Sequence, residues 1–374
     1  MSGQTVRQKI LAFMRREPVL LISALAALIS CCFVPPDKAY LGYFDLRTLA
    51  LLYCLMTVVA GLRAAGLFQV LAHALCRRAK SVRAVGVLLV LLSFFSAMLI
   101  TNDVALLTFL PFAVTVLTFA QKRQALIRIA VLQTMAANLG SMLTPVGNPQ
   151  NLYLYSHYGL DVGTFVQTTL PVWAVSLGLI LLLCLSLDRA PLAASDGAHA
   201  VPDGKKIALY GALFAVCLLV VVRVLPWWAM LLITVAALFA CDRKTLLKAD
   251  FCLLLTFLAF FVFSGNLARI EAVDALLKNL LNGREFLVSV LTSQIISNVP
   301  AALLLSGFTD NALALLLGVN VGGLGTPIAS LASLIGLKLY AATDGAKSGR
   351  FLTQFLLVNA ALLVLLSGFC LLVY

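Results

Sequence analysis

The sequence predicts an all-α polytopic membrane protein with inverted repeats, each containing a re-entrant hairpin and a broken transmembrane helix. Of its 374 residues, 62% are hydrophobic and only 11% are charged, and the mean hydropathy is +1.04. Continuous apolar stretches recur along the chain at close to the ~20 residues that a helix needs to cross a bilayer. Composition therefore indicates several membrane-spanning helices.

Two polar motifs each occur twice, in the same order, within apolar sequence. One places asparagine, glycine, threonine and proline at the same spacing in 138–147 and in 320–329. The other is a hydroxyl residue followed by asparagine, at Thr101-Asn102 and Ser297-Asn298. A helix-breaking segment that is repeated in a membrane protein predicts two halves that enclose one site, as in many secondary transporters.

The basic residues predict the orientation of the spans. Net charge is +12, and the positive-inside rule places lysine and arginine in cytoplasmic loops. With a cytoplasmic N-terminus, all but six of the 27 basic residues fall on the cytoplasmic side. The C-terminus is then periplasmic or extracellular, in a bacterial inner membrane. The six basic residues predicted to lie outside are Lys38, Arg47, Arg223, Arg269, Lys278 and Arg284.

This orientation is testable by labelling. A cysteine introduced by Ser195→Cys is expected to react with an impermeant thiol reagent only from the cytoplasmic side, because Ser195 lies in the predicted linker between the halves. A reporter fused after Tyr374 is expected to be accessible only from outside. Opposite labelling at either point contradicts the inverted repeats.

The predicted order along the chain follows from the apolar stretches and their breaks. Residues 84–120 are too long for one helix and too short for two crossings, and basic residues flank both ends. We therefore expect a hairpin with a tip at mid-membrane, where irregular backbone must line protein or a watery cavity.

The full predicted order is an N-terminal interfacial helix and first span (1–45), a first repeat (46–188, hairpin 84–120, broken helix 124–158), a cytoplasmic linker (189–206), a helix pair (207–249) and a second repeat (250–374, hairpin 285–308, broken helix 311–341).

Asp103 is the acidic residue that this topology places deep in the membrane, at the first hairpin tip. A carboxylate at that depth costs several kcal/mol on insertion scales and is a functional candidate by default. It could carry a proton or bind a cation. The alternative is that Asp103 caps a helix that starts at Val104, since aspartate is favoured at that position.

The tips and the broken helices supply the candidate substrate contacts. Half-helix N-termini suit anions, whereas half-helix C-termini and unwound carbonyls suit Na⁺. No basic side chain is predicted at the centre, and Lys338 is expected to snorkel to the interface, so the sequence favours a small anion. Packing between helices is the alternative for small polar residues. The candidates are Thr101, Asn102, Thr144, Pro145, Gly147, Asn148, Ser297, Asn298, Thr326 and Pro327.

These motifs resemble the ion transporter superfamily that includes divalent anion/sodium symporters, citrate carriers and arsenite permeases. The resemblance implies a scaffold domain, a transport domain that moves as an elevator, and a homodimer. Asp103 stands where the dicarboxylate pattern has threonine, and Val299-Pro300 follows the second tip, which is more similar to arsenite permeases. By this resemblance, one cation site uses Asn102, Gly140 and Ser141, and the other uses Ser297, Asn298 and Gly322. Asp103 is added to the coupling candidates because it is the deep carboxylate.

The sequence thus predicts a secondary active transporter of a small inorganic or carboxylate anion, driven by Na⁺ or H⁺. The alternatives are an arsenite or antimonite efflux permease, a Na⁺/H⁺ antiporter of the same superfamily and, less favoured, a channel. An enzyme is disfavoured because no nucleophile–base pair, metal-ligand spacing or nucleotide-binding loop is present. Expected partners are the anion, Na⁺ or H⁺, membrane lipid and a second copy of the chain, without nucleic acid, and no cofactor beyond the coupling ion is expected.

Overall fold

A computed structural model describes residues 17–68, 70, 79–119, 122–191 and 202–374. The predicted interfacial helix of 1–45, Ser195 and most of the linker lie outside them. Between the helices run single 3₁₀ turns at Lys38–Tyr43, Ser141–Leu143, Arg243–Lys248 and Ser306–Phe308. The helices are α1 Pro18–Phe33, α2 Leu46–Ala64, α3 Val82–Ile100, α4 Asn102–Phe119, α5 Arg123–Gly140, α6 Pro149–His157, α7 Val162–Cys184, α8 Gly204–Val221, α9 Trp227–Cys241, α10 Phe251–Ala268, α11 Glu271–Leu281, α12 Glu285–Ile296, α13 Asn298–Leu305, α14 Ala312–Val321, α15 Leu331–Ala341 and α16 Ser348–Val373.

Eight of the described helices start at a short polar side chain. An aspartate, asparagine or serine precedes the helix, and its side-chain oxygen accepts a hydrogen bond from a backbone N–H of the first turn. This satisfies a donor that would otherwise have no partner within apolar surroundings. The sequence therefore encodes both the start and the separation of consecutive apolar helices. The capping residues are Asp45, Ser81, Asn148, Asp161, Asp203, Asp250, Asn311 and Ser330.

Seven stretches within the described residues are long and apolar enough to cross a membrane. Shorter apolar helices, among them α12, α13, α14 and α15, have 8 to 12 residues each, and each is too short to cross alone. The short helices are the ones that border the predicted breaks. The seven candidates are Leu46–Ala64, Val82–Ile100, Gln124–Leu143, Val162–Cys184, Gly204–Val221, Phe251–Ala268 and Ser348–Val373.

The helices pack in two groups. In one, α3 contacts α4 and α5, α12 contacts α13 and α14, and α15 lies against α4 and α5. In the other, α10 packs along α1, and α2 packs between α8 and α9. The two groups meet where α13 contacts α10 and where α6 contacts α2. This meeting surface is where the candidate site lies.

Both predicted hairpins are pairs of helices that break at a single residue. Thr101 separates α3 from α4, and Ser297 separates α12 from α13. The expectation that Asp103 caps a helix starting at Val104 is wrong, because α4 begins at Asn102 and Asp103 lies within its first turn. The domain boundaries and the opposite orientation of the repeats stay predictions.

Gly140 allows α5 to approach the backbone of α3. A Cβ atom added to Gly140 would lie 2.0 Å from the carbonyl oxygen of Phe94. Because backbone cannot rotate away, we expect Gly140→Ala to lower the free energy of unfolding by at least about 1–3 kcal/mol, the usual cost of overpacking. The measurement is thermal unfolding of the purified protein in detergent.

The matched control is Gly178→Ala in α7, where an added Cβ meets nothing within 4 Å. Alanine is favoured over glycine inside a helix by about 0.5–1 kcal/mol, so this variant is expected to be neutral or slightly more stable. Equal melting temperatures for the Gly140 and Gly178 variants would contradict the close approach of α5 to α3.

Candidate functional site

The two tips have the same unusual backbone conformation. Thr101 has φ 70° and ψ 151°, and Ser297 has φ 75° and ψ 155°. This region is populated almost only by glycine and costs other residues of order 1–3 kcal/mol. Residues in such conformations cluster at ligand clamps and other functional sites, where the surrounding structure holds them. The matched strain supports a functional role for both tips.

Each tip is held by the loop of a broken helix. The backbone N–H of Asn102 donates to the carbonyl oxygen of Gly147 at 3.1 Å, and that of Asn298 donates to Ala329 at 2.9 Å. Gly147 and Ala329 occupy the same position of the repeated motif. The same hydrogen bond therefore occurs once in each half of the chain.

The two broken helices are joined to each other by reciprocal side-chain contacts. Asn138 Nδ2 donates to Ser330 Oγ at 2.8 Å, and Asn148 Nδ2 donates to Asn320 Oδ1 at 3.1 Å. Asn138 and Asn320 end the first segments, whereas Asn148 and Ser330 cap the second. Each half thus contributes one residue from its first segment and one capping residue from its second segment to these two contacts. The two breaks therefore lie side by side.

Buried amides satisfy the unwound backbone around these breaks. Asn151 Nδ2 contacts the carbonyl oxygens of Ser141, Met142 and Thr144 at 3.3, 3.2 and 3.1 Å. Asn320 Nδ2 donates to Asn151 Oδ1 at 2.7 Å. A buried polar group without a partner costs about 1–3 kcal/mol, so these amides make the breaks tolerable inside the protein.

The Gln294 side chain makes hydrogen bonds to the unwound backbone of the second broken helix. Its Nε2 donates to the carbonyl oxygens of Gly322 at 2.7 Å and Leu324 at 2.9 Å, and its Oε1 accepts from the Thr326 N–H at 3.0 Å. The Gly322 carbonyl, a predicted cation ligand, already has a hydrogen-bond donor in this arrangement. The sequence analysis did not identify Gln294 or Asn151 as site residues, and it did not predict the contacts of Asn138 and Asn320. An amide side chain within an apolar helix is the sequence feature that could have indicated them.

Two adjoining cavities reach the tips. The larger, of about 580 Å³, is lined by Thr101, Asp103 and Asn148 among others. The smaller, of about 210 Å³, is lined by Asn102, Ser297 and Asn298 among others. Residues that line both, and so mark where the cavities meet, are Asp103, Pro149, Asp250, Leu253 and Leu331.

The structure brings together only part of the predicted set. Thr101, Asn102, Asp103, Asn148, Ser297 and Asn298 line these two cavities. The Thr144 hydroxyl instead donates to the Met98 carbonyl, and the Thr326 hydroxyl donates to the Gln294 carbonyl at 3.2 Å. Predicted residues that line neither cavity are Gly140, Ser141, Thr144, Pro145, Gly147, Gly322, Thr326 and Pro327.

Three basic side chains line the two cavities. Arg63 and Lys248 line the larger cavity, and Lys338 lines the smaller. Arg63 is half-buried, and its Nη2 donates to the Leu107 carbonyl of α4 at 2.8 Å. The charge asymmetry of the sequence predicts that all three residues lie on the cytoplasmic side, and folding brings them to the cavities.

Asp103 lies at the meeting point of the cavities with one oxygen unsatisfied. Its Oδ1 is buried and has no hydrogen-bond partner among the described residues. Its N–H donates to the side-chain Oδ1 of Asn102 at 2.9 Å. An unsatisfied buried carboxylate oxygen is costly unless a proton, cation or donor reaches it. The geometry is suited to an exchangeable ligand.

Comparisons with known proteins agree with this architecture. A family model described as citrate transporter (CitMHS) matches residues 9–311. Inner membrane protein YbiR of Escherichia coli (strain K12) is 32% identical over 317 residues, 82% of this chain and 83% of that protein. Uncharacterized transporter MJ0456 of Methanocaldococcus jannaschii is 31% identical over 307 residues, 82% of this chain and 84% of that protein.

A plant protein is similar over a shorter stretch. Silicon efflux transporter LSI3 of Oryza sativa subsp. japonica is 29% identical over 187 residues, which are 47% of this chain and 38% of that protein. The family model covers well over half of the chain, and the predicted superfamily resemblance is confirmed. The chain belongs to the citrate transporter family and is a multi-pass membrane transporter, not an enzyme.

Proposed function

We propose that this transporter carries a small inorganic or carboxylate anion across the inner membrane, coupled to Na⁺ or H⁺, by alternating access. The observation that carries the proposal is the reciprocal pairing of the two breaks, Asn138 with Ser330 and Asn148 with Asn320, directly behind the two tips. Paired breaks around one central site are typical of secondary transporters that work by alternating access.

The cavity walls supply groups that bind an anion. The N-termini of α6 and α15 reach the cavities at Asn148, Pro149 and Leu331, and helix N-termini stabilise negative charge. Asn298 is buried, and its side-chain amide makes no hydrogen bond within the described part of the chain. This amide and the Arg63 guanidinium are donors that a bound anion can use.

Three basic residues that line the cavities indicate the side of the membrane to which the cavities open. Arg63, Lys248 and Lys338 belong to segments that the charge asymmetry places in the cytoplasm, so the cavities open inward. Hydrogen bonds also join the two halves of the chain: Tyr153 OH lies 2.8 Å from Ser306 Oγ, and Tyr158 OH donates to the Thr309 carbonyl at 2.7 Å.

Within this proposal, α1, α2 and α8–α11 form the scaffold, and α3–α7 with α12–α16 form the transport domain. The transport domain moves as an elevator, and the molecule is a homodimer, as the family resemblance implies. Asp103, at a tip that moves with the transport domain, carries the proton or contacts the Na⁺ that couples the movement. The N-terminus is cytoplasmic and the C-terminus is external.

A second candidate is efflux of a small hydroxylated solute such as arsenite. Two carboxylates, Asp103 and Asp250, line both cavities, and they disfavour a substrate with several negative charges. The relative LSI3 is named as a silicon efflux transporter. These observations favour a neutral or weakly acidic solute over a polyanion.

Counterflow in proteoliposomes tests the proposal. Vesicles loaded with unlabelled phosphate, sulfate, citrate, succinate or arsenite are exposed to the same labelled solute, with Na⁺ and pH gradients imposed separately. We expect transient accumulation of one solute class, stimulated by one of the two gradients. Flux without counterflow indicates a channel, and no flux of any solute contradicts the proposed transport.

A further inference from the structure

Asp103, which is partly buried, and Asp250, which is exposed, both lie where the two cavities meet. Both residues line both cavities, and the two carboxylates come from different parts of the fold. Asp103 lies in the first turn of α4, at the hairpin tip, whereas Asp250 caps α10, which packs along α1. The tip and the scaffold therefore each supply one carboxylate to the same space.

Neither carboxylate makes an ion pair within the described part of the chain. Asp103 Oδ1 is buried there without a hydrogen bond. The ion pairs within the described residues join other side chains: Lys206 with Asp242, Arg269 with Asp37, and Lys278 with Asp274. Two like charges that share a space favour a bound proton or metal cation between them.

Other charged groups also line the two cavities. Arg63 lines the larger cavity and donates to the Leu107 carbonyl, and Lys248 lines the same cavity. Lys338 and Glu17 line the smaller cavity. Asp250 itself accepts one hydrogen bond, from the Leu253 N–H at 2.9 Å, and has a second oxygen for a ligand.

We propose that Asp250 is the second carboxylate of the coupling site, and that Asp103 and Asp250 together hold one monovalent cation, Na⁺ or H⁺, in the inward-open arrangement. The inference rests on the proposed function, whose cation site it completes. Movement of the tip away from α10 separates the two carboxylates and weakens cation binding. A ligand shifts a conformational equilibrium only through such a difference in affinity between states.

The test compares Asp250→Asn with Asp203→Asn. Asp203 caps α8 by accepting from the Lys206 N–H at 3.1 Å, as Asp250 caps α10, but Asp203 lines neither cavity. Asparagine caps a helix about as well as aspartate, so each substitution removes the charge and keeps the cap. Asp250→Ser, which also keeps a capping oxygen, is measured alongside in case Asp250→Asn does not fold.

Melting temperature is followed in two titrations: NaCl replaced by choline chloride at constant ionic strength, and pH without Na⁺. If the cation is Na⁺, Asp250→Asn is expected to weaken its apparent affinity about tenfold; if it is H⁺, the half-maximal pH falls by about one unit, because a neighbouring negative charge is lost. Asp203→Asn is expected to match the wild type. Adding Asp250→Asn to Asp103→Asn is expected to change little further, because both act on one site.

The inference would be overturned if the Asp250 variants titrate as the wild type does. It would also be overturned if the melting temperature of the wild type responds to neither ion. The same result in Asp203→Asn as in Asp250→Asn would also overturn it, because the effect would then belong to helix caps in general. Counterflow by the wild type is measured on the same preparations. Absent counterflow counts against the proposed function, whereas unchanged titrations with normal counterflow count against Asp250 alone.

Discussion

Replacing either Asn102 or Asn298 by alanine is expected to abolish transport while the protein stays folded. Both side chains line the smaller cavity, and each follows a strained tip residue. A hydrogen bond to a charged group contributes about 1.5–3 kcal/mol, which is about 10- to 150-fold in affinity. Because one site uses both tips, loss of either amide is expected to disable it. The measurement is counterflow by the purified variants.

The control for these variants is Asn359→Ala. Asn359 is also a buried asparagine, but it lies in α16, donates to the Phe355 carbonyl of its own helix at 3.1 Å, and lines neither cavity. We expect it to transport as the wild type does, apart from a loss of stability. Normal transport by Asn102→Ala or Asn298→Ala would mean that the tips only pack.

The substitution Asp103→Asn is expected to uncouple transport from its driving gradient. Asparagine keeps the shape of the side chain and removes the charge and the titratable proton. If Asp103 carries H⁺, accumulation driven by a pH gradient is lost; if it binds Na⁺, the Na⁺ dependence weakens. Accumulation under each gradient, measured against exchange without a gradient, separates coupling from substrate binding.

A carboxylate elsewhere provides the comparison for Asp103. Glu285 is buried in the first turn of α12, accepts a hydrogen bond from the Gly283 N–H at 3.3 Å, and lines neither cavity. Glu285→Gln is expected to keep both gradient dependences. If Asp103→Asn also keeps both, its carboxylate has no coupling role, and the tip amides and broken-helix carbonyls remain as cation ligands.

The positions of the breaks could be predicted from the sequence because each break interrupts an apolar stretch with residues that do not favour helix. Thr101 and Ser297 were found in this way, as were the broken-helix segments with Pro145 and Pro327. Their left-handed backbone could not be predicted, since threonine and serine rarely adopt it. Only the hydrogen bonds to Gly147 and Ala329 explain how it is held.

The partners of the central amides could not be predicted, because they depend on how the two halves meet. Asn138 and Ser330 are far apart in the sequence and share a hydrogen bond only because the breaks lie side by side. The contribution of Arg63 and Lys248 to the larger cavity could not be predicted for a similar reason. The charge asymmetry places both on the cytoplasmic side, but it does not show that a cavity opens there.

The stoichiometry of equilibrium binding shows whether both tips form one site. The solute identified by counterflow is titrated, in labelled form, into the purified wild type, Asn102→Ala and Asn298→Ala. We expect one bound solute per chain in the wild type and none in either variant over the same concentration range. Two per chain in the wild type, or one remaining in each variant, would show that each tip binds alone and would contradict a shared site.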